Sequence, residues 1–165
     1  MSAPSNATSE AVIEDLISKI NENTLPLSTM KERGRVVLGD FIRSEIVSYE
    51  NKEHTLEKYK HTYELDIHGS LNGKIYLNLN SDIADYLSTV LFGESEEELR
   101  DEAMKETLNI FSGHMSAFLH EHDYDIDIGV PSASAHDIVT SKPKLKLLFR
   151  YMTNQQMMQF FMEID

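Results

Sequence analysis

The 165-residue chain contains no cysteine, which excludes disulfides, thiol nucleophiles and thiolate metal sites together. Basic side chains are scarce: 15 Lys and Arg stand against 28 Asp and Glu, a formal net charge of -13 at pH 7. So acidic a surface repels phosphate backbones and anionic lipids alike, so neither nucleic acid nor a membrane is an expected partner. No apolar run approaches the roughly 18 residues that a bilayer-spanning helix needs. The opening Met-Ser-Ala-Pro-Ser-Asn-Ala-Thr has neither the basic start nor the apolar core of a secretory signal, and a cytoplasmic location is expected. The phosphate-loop glycine pattern, the dinucleotide-binding glycine fingerprint, the GxSxG nucleophile elbow and the HExxH zinc motif are all missing.

What is present suffices for one globular domain. The length supports a proper core, and the hydrophobic share of 41% is ordinary. Residues 1–7 read as a frayed tail and residues 8–165 as a single domain. Thr8 or Ser9 can cap a helix running to about Asn21, with Val12, Ile13, Leu16, Ile17 and Ile20 on one face. From Pro26 to Tyr49 a second helix fits loosely through Val37, Leu38, Phe41, Ile42 and Ile46, although Gly34 and Gly39 weaken it. The charged stretch from Asn51 to Lys60 reads as a loop.

A hairpin follows. Tyr63, Leu65 and Ile67 alternate with polar residues, as do Ile75, Leu77 and Leu79 beyond Asn72-Gly73. A two-residue turn would place the two apolar sets on opposite faces. A three-residue loop, Leu71 to Gly73 with Gly73 left-handed, keeps both inward. Ser81 or Asp82 then caps a short helix with Ile83, Leu87, Val90 and Leu91 inward, stopped by Gly93. Ser95 and Glu98 have capping-box spacing for the next helix. Tyr124, Ile126, Ile128 and Val130 alternate with Asp123, Asp125 and Asp127, a strand with one wet face that ends at Pro131. A loop to Pro143 leads to a second hairpin, with Leu145, Leu147, Phe149 and Tyr151 before a turn near Asn154 and Met158, Phe160, Met162 and Ile164 after it. The sum is α+β: helices packed on a largely antiparallel β-sheet.

The segment Arg100 to Glu121 is the longest amphipathic helix. Met104, Leu108, Phe111, Met115 and Phe118 recur at steps of four and three, as one buried face requires. At about 100° per residue, Glu102, Glu106, Asn109 and Gly113 share the opposite side within roughly 60°. Asn is a mediocre helix former, and Gly inside a helix costs about 1 kcal/mol relative to Ala. A carboxylate, a carboxamide and a missing side chain read as a docking strip, the alternative for Glu106 and Asn109 being an ordinary solvated face.

The other candidates have plainer accounts. His120 and His122 point to different sides of any helix they share, so the His-Glu-His-Asp run at 120–123 reads as solvated histidines at a helix end. Asp123, Asp125 and Asp127 resemble half a calcium loop, but Ile128 and Ser134 stand where that loop needs Gly and Glu. Lys142, Lys144 and Lys146 alternate with Leu145 and Leu147, which predicts the wet side of a strand. No metal site and no cofactor of the chain's own are expected.

At the outer strip the sequence resembles a known family. Glu106-x-x-Asn109, followed after twenty-one residues by Pro131, is similar to the signature of the CheC/CheX/FliY phosphatases of bacterial chemotaxis. The wording Glu106-Thr-Leu-Asn109-Ile-Phe-Ser-Gly113 resembles their Glu-x-x-Asn-Met-x-x-Gly. Upstream, Ile67-His-Gly69-Ser-Leu-Asn-Gly73-Lys-Ile75-Tyr-Leu77 resembles the hairpin preceding that helix. The likeness covers about Thr62 to Pro131, and one motif rather than two is nearer to CheX than to CheC. The family has Asp or Ser where this chain has Glu102.

The resemblance implies a CheC/CheX-like α+β fold and hydrolysis of the phosphoaspartate of a CheY-like receiver domain. Asn109 would orient the attacking water and Glu106 would pair with the receiver's lysine. Glu102, Gly113 and Pro131 would contact the partner, and Mg2+ would belong to the receiver. Pairing of two copies through sheet edges is a further implication. The alternative is a non-catalytic module of the same fold that binds a receiver or another signalling protein.

Overall fold

The computed structural model describes residues 9–38, 43–49, 61–134, 144–153 and 156–165. The tail, Gly39, Phe41, Ile42, the loop expected from Asn51 to Lys60 and the turn expected near Asn154 lie outside them. In chain order the described elements are helices α1 (Ser9–Asn21) and α2 (Leu27–Leu38), strands β1 (Arg43–Tyr49), β2 (His61–Gly69) and β3 (Gly73–Leu79), helices α3 (Ser81–Phe92) and α4 (Glu97–Glu121), and strands β4 (Ile126–Ile128), β5 (Ser132–Ala133), β6 (Leu145–Thr153) and β7 (Gln156–Ile164). The strands form one sheet in the order β1-β6-β7-β3-β2-β4, with β5 also on β2, and each pairing is antiparallel. This is the α+β architecture expected from the sequence.

The main core joins the inward residues of α1 to α4 with one face of the sheet, including Leu16, Met30, Leu65, Leu77, Phe149 and Phe160. Both apolar sets of each hairpin lie on this face, because β2 and β3 pair Leu65 with Ile75 and β6 and β7 pair Leu147 with Met162. Phe111 of α4 is the main anchor: it stacks on Phe160 at 4.0 Å and meets Phe149 edge-on at 5.6 Å. Helix α2 approaches the same cluster through Gly34, where a Cβ would collide with the Tyr151 ring. The Tyr151 hydroxyl donates to the Lys31 carbonyl at 3.1 Å.

Several local expectations are corrected. Ile46 belongs to β1, not to a second helix, which ends at Leu38. Gly73 is not left-handed; Gly69 takes the positive φ, 133°, and the loop is longer because Ile67 already pairs with Gly73. Gly73 is required instead by close approach, since a Cβ there would run into the Glu163 carbonyl. Asn80 caps α3, accepting from the Ile83 amide at 3.1 Å.

The buried stripe of α3 is Ile83, Ala84, Leu87 and Ser88 and stops a turn before the helix does, leaving Val90 and Leu91 exposed. Glu96 occupies the N-cap of α4 without a side-chain cap bond, while Ser95 instead donates to Asp85 and accepts from Arg100. Lys146 is not wet. It is buried on the far face of the sheet, 3.2 Å from the equally buried Glu163 carboxylate on the neighbouring strand.

Candidate functional site

Helix α4 buries Met104, Leu108, Phe111, Met115 and Phe118, so its outer residues are fixed by the core beneath them. Glu102, Glu106 and Asn109 are exposed. A rigid helix presents Asn109 about 4.5 Å along the axis from Glu106, at the usual rise of about 1.5 Å per residue. Among the described residues, no atom outside α4's own backbone lies within 4 Å of where a Gly113 Cβ would be. The packing of the described residues does not demand a glycine there.

The second wall comes from a register change. Strand β4 pairs Ile128 with Ile67, whereas β5 pairs Ser132 with Glu64, so four residues on one strand span three on the other. The extra residue bulges out between Gly129, whose amide donates to the Asp66 carbonyl at 2.7 Å, and Ser134, whose amide donates to the Thr62 carbonyl at 2.8 Å. Pro131 has no amide hydrogen for the ladder, so the interruption falls where the sequence cannot pair. Val130 was expected inward; the bulge turns it out, to 87% exposure.

Between these walls lies an open groove of about 440 Å³ lined by Glu102, Lys105, Glu106, Asn109, Gly129, Val130 and Pro131. Four of the five residues nominated from the sequence therefore meet in one place; Gly113 continues the strip beyond the groove. Sequence reasoning missed Lys105, Gly129 and Val130. The one signal for the last two is a proline directly after a residue read as inward-facing. A larger open cleft of about 1200 Å³ lies beyond Glu102, between α3 and the start of α4, with Asp82, Asp85, Glu98 and Asp101 among its lining.

The charges around the groove are ordered. Tyr63 of β2 donates to Asp101 at 2.6 Å, and this bond, with Lys105, holds the Asp101 carboxyl below its ordinary value. Burial and the same carboxylate keep the Tyr63 phenol protonated well above its usual range. The Lys105 ammonium lies 2.9 Å from Asp101 and 4.0 Å from Glu102. His120 and His122 are not among the groove's lining: His120 pairs with Asp125, and the His122 ring lies 4.9 Å from that of Phe118. Among the described residues, no three His, Asp or Glu side chains converge as metal ligands would. Nor, among them, is any helix long and apolar enough to cross a membrane.

No family model and no curated protein matches the sequence. Solved structures do match the fold. The chain is similar to a chemotaxis protein CheX from Desulfovibrio desulfuricans, with a TM-score of 0.67 and 17% identity over 88% of this chain and 100% of that one. It is also similar to CheX in a CheX-CheY-BeF3-Mg2+ complex from Borrelia burgdorferi, with a TM-score of 0.63 and 17% identity over 83% of this chain and 91% of that one. FliY from Thermotoga maritima gives a TM-score of 0.60 and 12% identity over 81% and 82%. The chain has the CheC/CheX/FliY fold. At such identities the likeness is one of fold, and the chemistry has to be argued from the groove.

Proposed function

We propose that this chain is a phosphatase of receiver domains, hydrolysing the phosphoaspartate of a CheY-like response regulator. The observation that carries the proposal is the placement of Glu106 and Asn109, exposed on a helix anchored in the core, beside the Gly129–Pro131 bulge in a CheX-like fold. The Borrelia complex, in which a CheX is seated with CheY, BeF3 and Mg2+, supports a receiver as the partner.

The roles follow from side-chain chemistry. An amide cannot act as a base, but it has a donor and an acceptor with which to orient a water for in-line attack on phosphorus. Asn109 supplies that amide. Glu106, one turn away, pairs with the receiver's lysine and fixes the register. Mg2+ and most transition-state charge stabilisation belong to the receiver, so positioning is this chain's contribution. Glu102 and Pro131 contact the receiver at the groove's rim, and Gly113 admits its surface closely. Two acidic partners gain nothing from long-range steering, so binding is weak and transient.

The test is to add the protein to CheY-like receivers phosphorylated with acetyl phosphate and follow loss of the phosphoryl group. Decay should accelerate in proportion to catalytic amounts of the protein. Unchanged decay across a panel of receivers, with binding retained, would leave a non-catalytic interaction module instead.

A further inference from the structure

Among the described residues, Lys105 is the one cation lining a groove that otherwise carries the carboxylates of Glu102 and Glu106. It precedes Asn109 by four residues, so the two side chains are neighbours on the helix surface, about 5–6 Å apart at their Cβ atoms. Its ammonium is neither loose nor spent. Asp101 holds it at 2.9 Å, Glu102 stands at 4.0 Å, and the side chain stays about one-third exposed. Asp101 is itself shared with the Tyr63 hydroxyl at 2.6 Å, which leaves part of its charge engaged by strand β2 rather than by the lysine. The result is a cation held in place at the mouth of the groove, ahead of any partner, on a chain of net charge -13.

We infer that Lys105 is a recognition residue of this site, which meets an anionic oxygen of the partner as Asn109 enters its pocket. The inference rests on the phosphatase proposal for its partner, while receiver binding tests it separately from turnover. That oxygen comes either from the phosphoryl group or from the acidic residues around it, and an ammonium suits both as a compact point charge. A preorganised cation contributes because its ordering cost is met before binding. Beside Glu106 it gives the groove charges of both signs, which favours one orientation of an acidic partner.

The experiment compares wild type with Lys105→Gln, Lys105→Arg and Lys105→Glu, using a CheY-like receiver with and without acetyl phosphate. Binding is followed by anisotropy of the labelled receiver and turnover by loss of phosphate. Lys105→Gln should raise Kd and KM about tenfold, the equivalent of about 1.4 kcal/mol, with the loss falling on KM rather than kcat. Lys105→Arg should restore most of the affinity, Lys105→Glu should weaken binding further, and raised salt should narrow the difference from wild type. A defect confined to the phosphorylated receiver assigns the contact to the phosphoryl group; an equal defect on both forms assigns it to the acidic pocket. Unchanged Kd and KM in Lys105→Gln, or a loss confined to kcat, would overturn the inference. Receiver binding that depends on Lys105 without phosphate release would sink the phosphatase proposal alone, and absence of binding to any receiver would sink both.

Discussion

The Tyr63 hydroxyl and the Asp101 carboxylate, 2.6 Å apart, tie strand β2 to the first half of helix α4 immediately before the groove residues. Because the Asp101 carboxyl titrates below its ordinary value of 3.8 in the fold, its contribution to stability is complete above that pH. It is lost as the pH falls through the lowered value. Tyr63→Phe removes the largest cause of the shift. Unfolding by urea at pH 7 and at roughly pH 3 should show a smaller acid-induced loss in Tyr63→Phe than in wild type; equal losses would mean that the bond does not set the titration.

His120 moves the other way. Its hydrogen bond with Asp125 raises the imidazole above 6.5, so the pair is intact below that pH and fades as the pH rises through the raised value. An NMR titration should place His120 above 6.5 in wild type, and Asp125→Asn should return it towards 6.5. A midpoint unmoved by the substitution would count against the pairing.

Gly34 and Tyr151 test how α2 sits on the sheet. Gly34→Ala drives a methyl into the Tyr151 ring, an overpacking cost of about 1–3 kcal/mol set against about 1 kcal/mol of helix propensity. Tyr151→Phe removes the hydroxyl, giving up the bond to the Lys31 carbonyl, at about 1 kcal/mol. It also removes the closest clash with the methyl, leaving the ring carbon at 2.9 Å to be relieved by a small shift. The double variant should be more stable than the sum of the singles by at least about 0.5 kcal/mol in urea unfolding. Strict additivity would show that the two do not touch.

Helices α1 and α4 and both hairpins were legible because their apolar residues keep a period of 3.6 or 2 with little interruption. What was not legible depends on partners far away in sequence. Ile46 fits a helical spacing with Phe41 and Ile42, and its pairing with Phe149 on β6 has no local signal. Lys146 alternates like a wet strand residue, and only the facing Glu163 makes its burial tolerable. Of the groove, the Glu106-x-x-Asn109 wall lies on one helix, so the helical period puts both residues on one face, but the pattern is too common to stand out without the family resemblance. The Gly129–Pro131 wall arises from a slip between two registers on β2, which the sequence hints at only through a proline in a strand.

Gly113 separates stability from function. Among the described residues its Cβ would meet no atom outside α4's own backbone, so Gly113→Ala should stabilise α4 by about 1 kcal/mol and raise Tm by about 2–4 °C. Gly113→Gln should fold equally well and yet lose receiver binding, because the side chain fills the approach. A Gly113→Gln protein that binds and turns over receiver normally would remove Gly113 from the docking strip.

In the proposed reaction, one amide on α4 positions the water that hydrolyses a receiver's phosphoaspartate. Asn109 is exposed, so Asn109→Ala should leave the far-UV CD spectrum unchanged and raise Tm slightly, because Ala is the better helix former. The most direct measurement is the decay of phosphorylated receiver with saturating wild type against saturating Asn109→Ala. The account predicts that the variant binds and loses on the order of 10²-fold in rate, as for removal of one positioned donor; an Asn109→Ala protein that accelerates decay as well as wild type would contradict it.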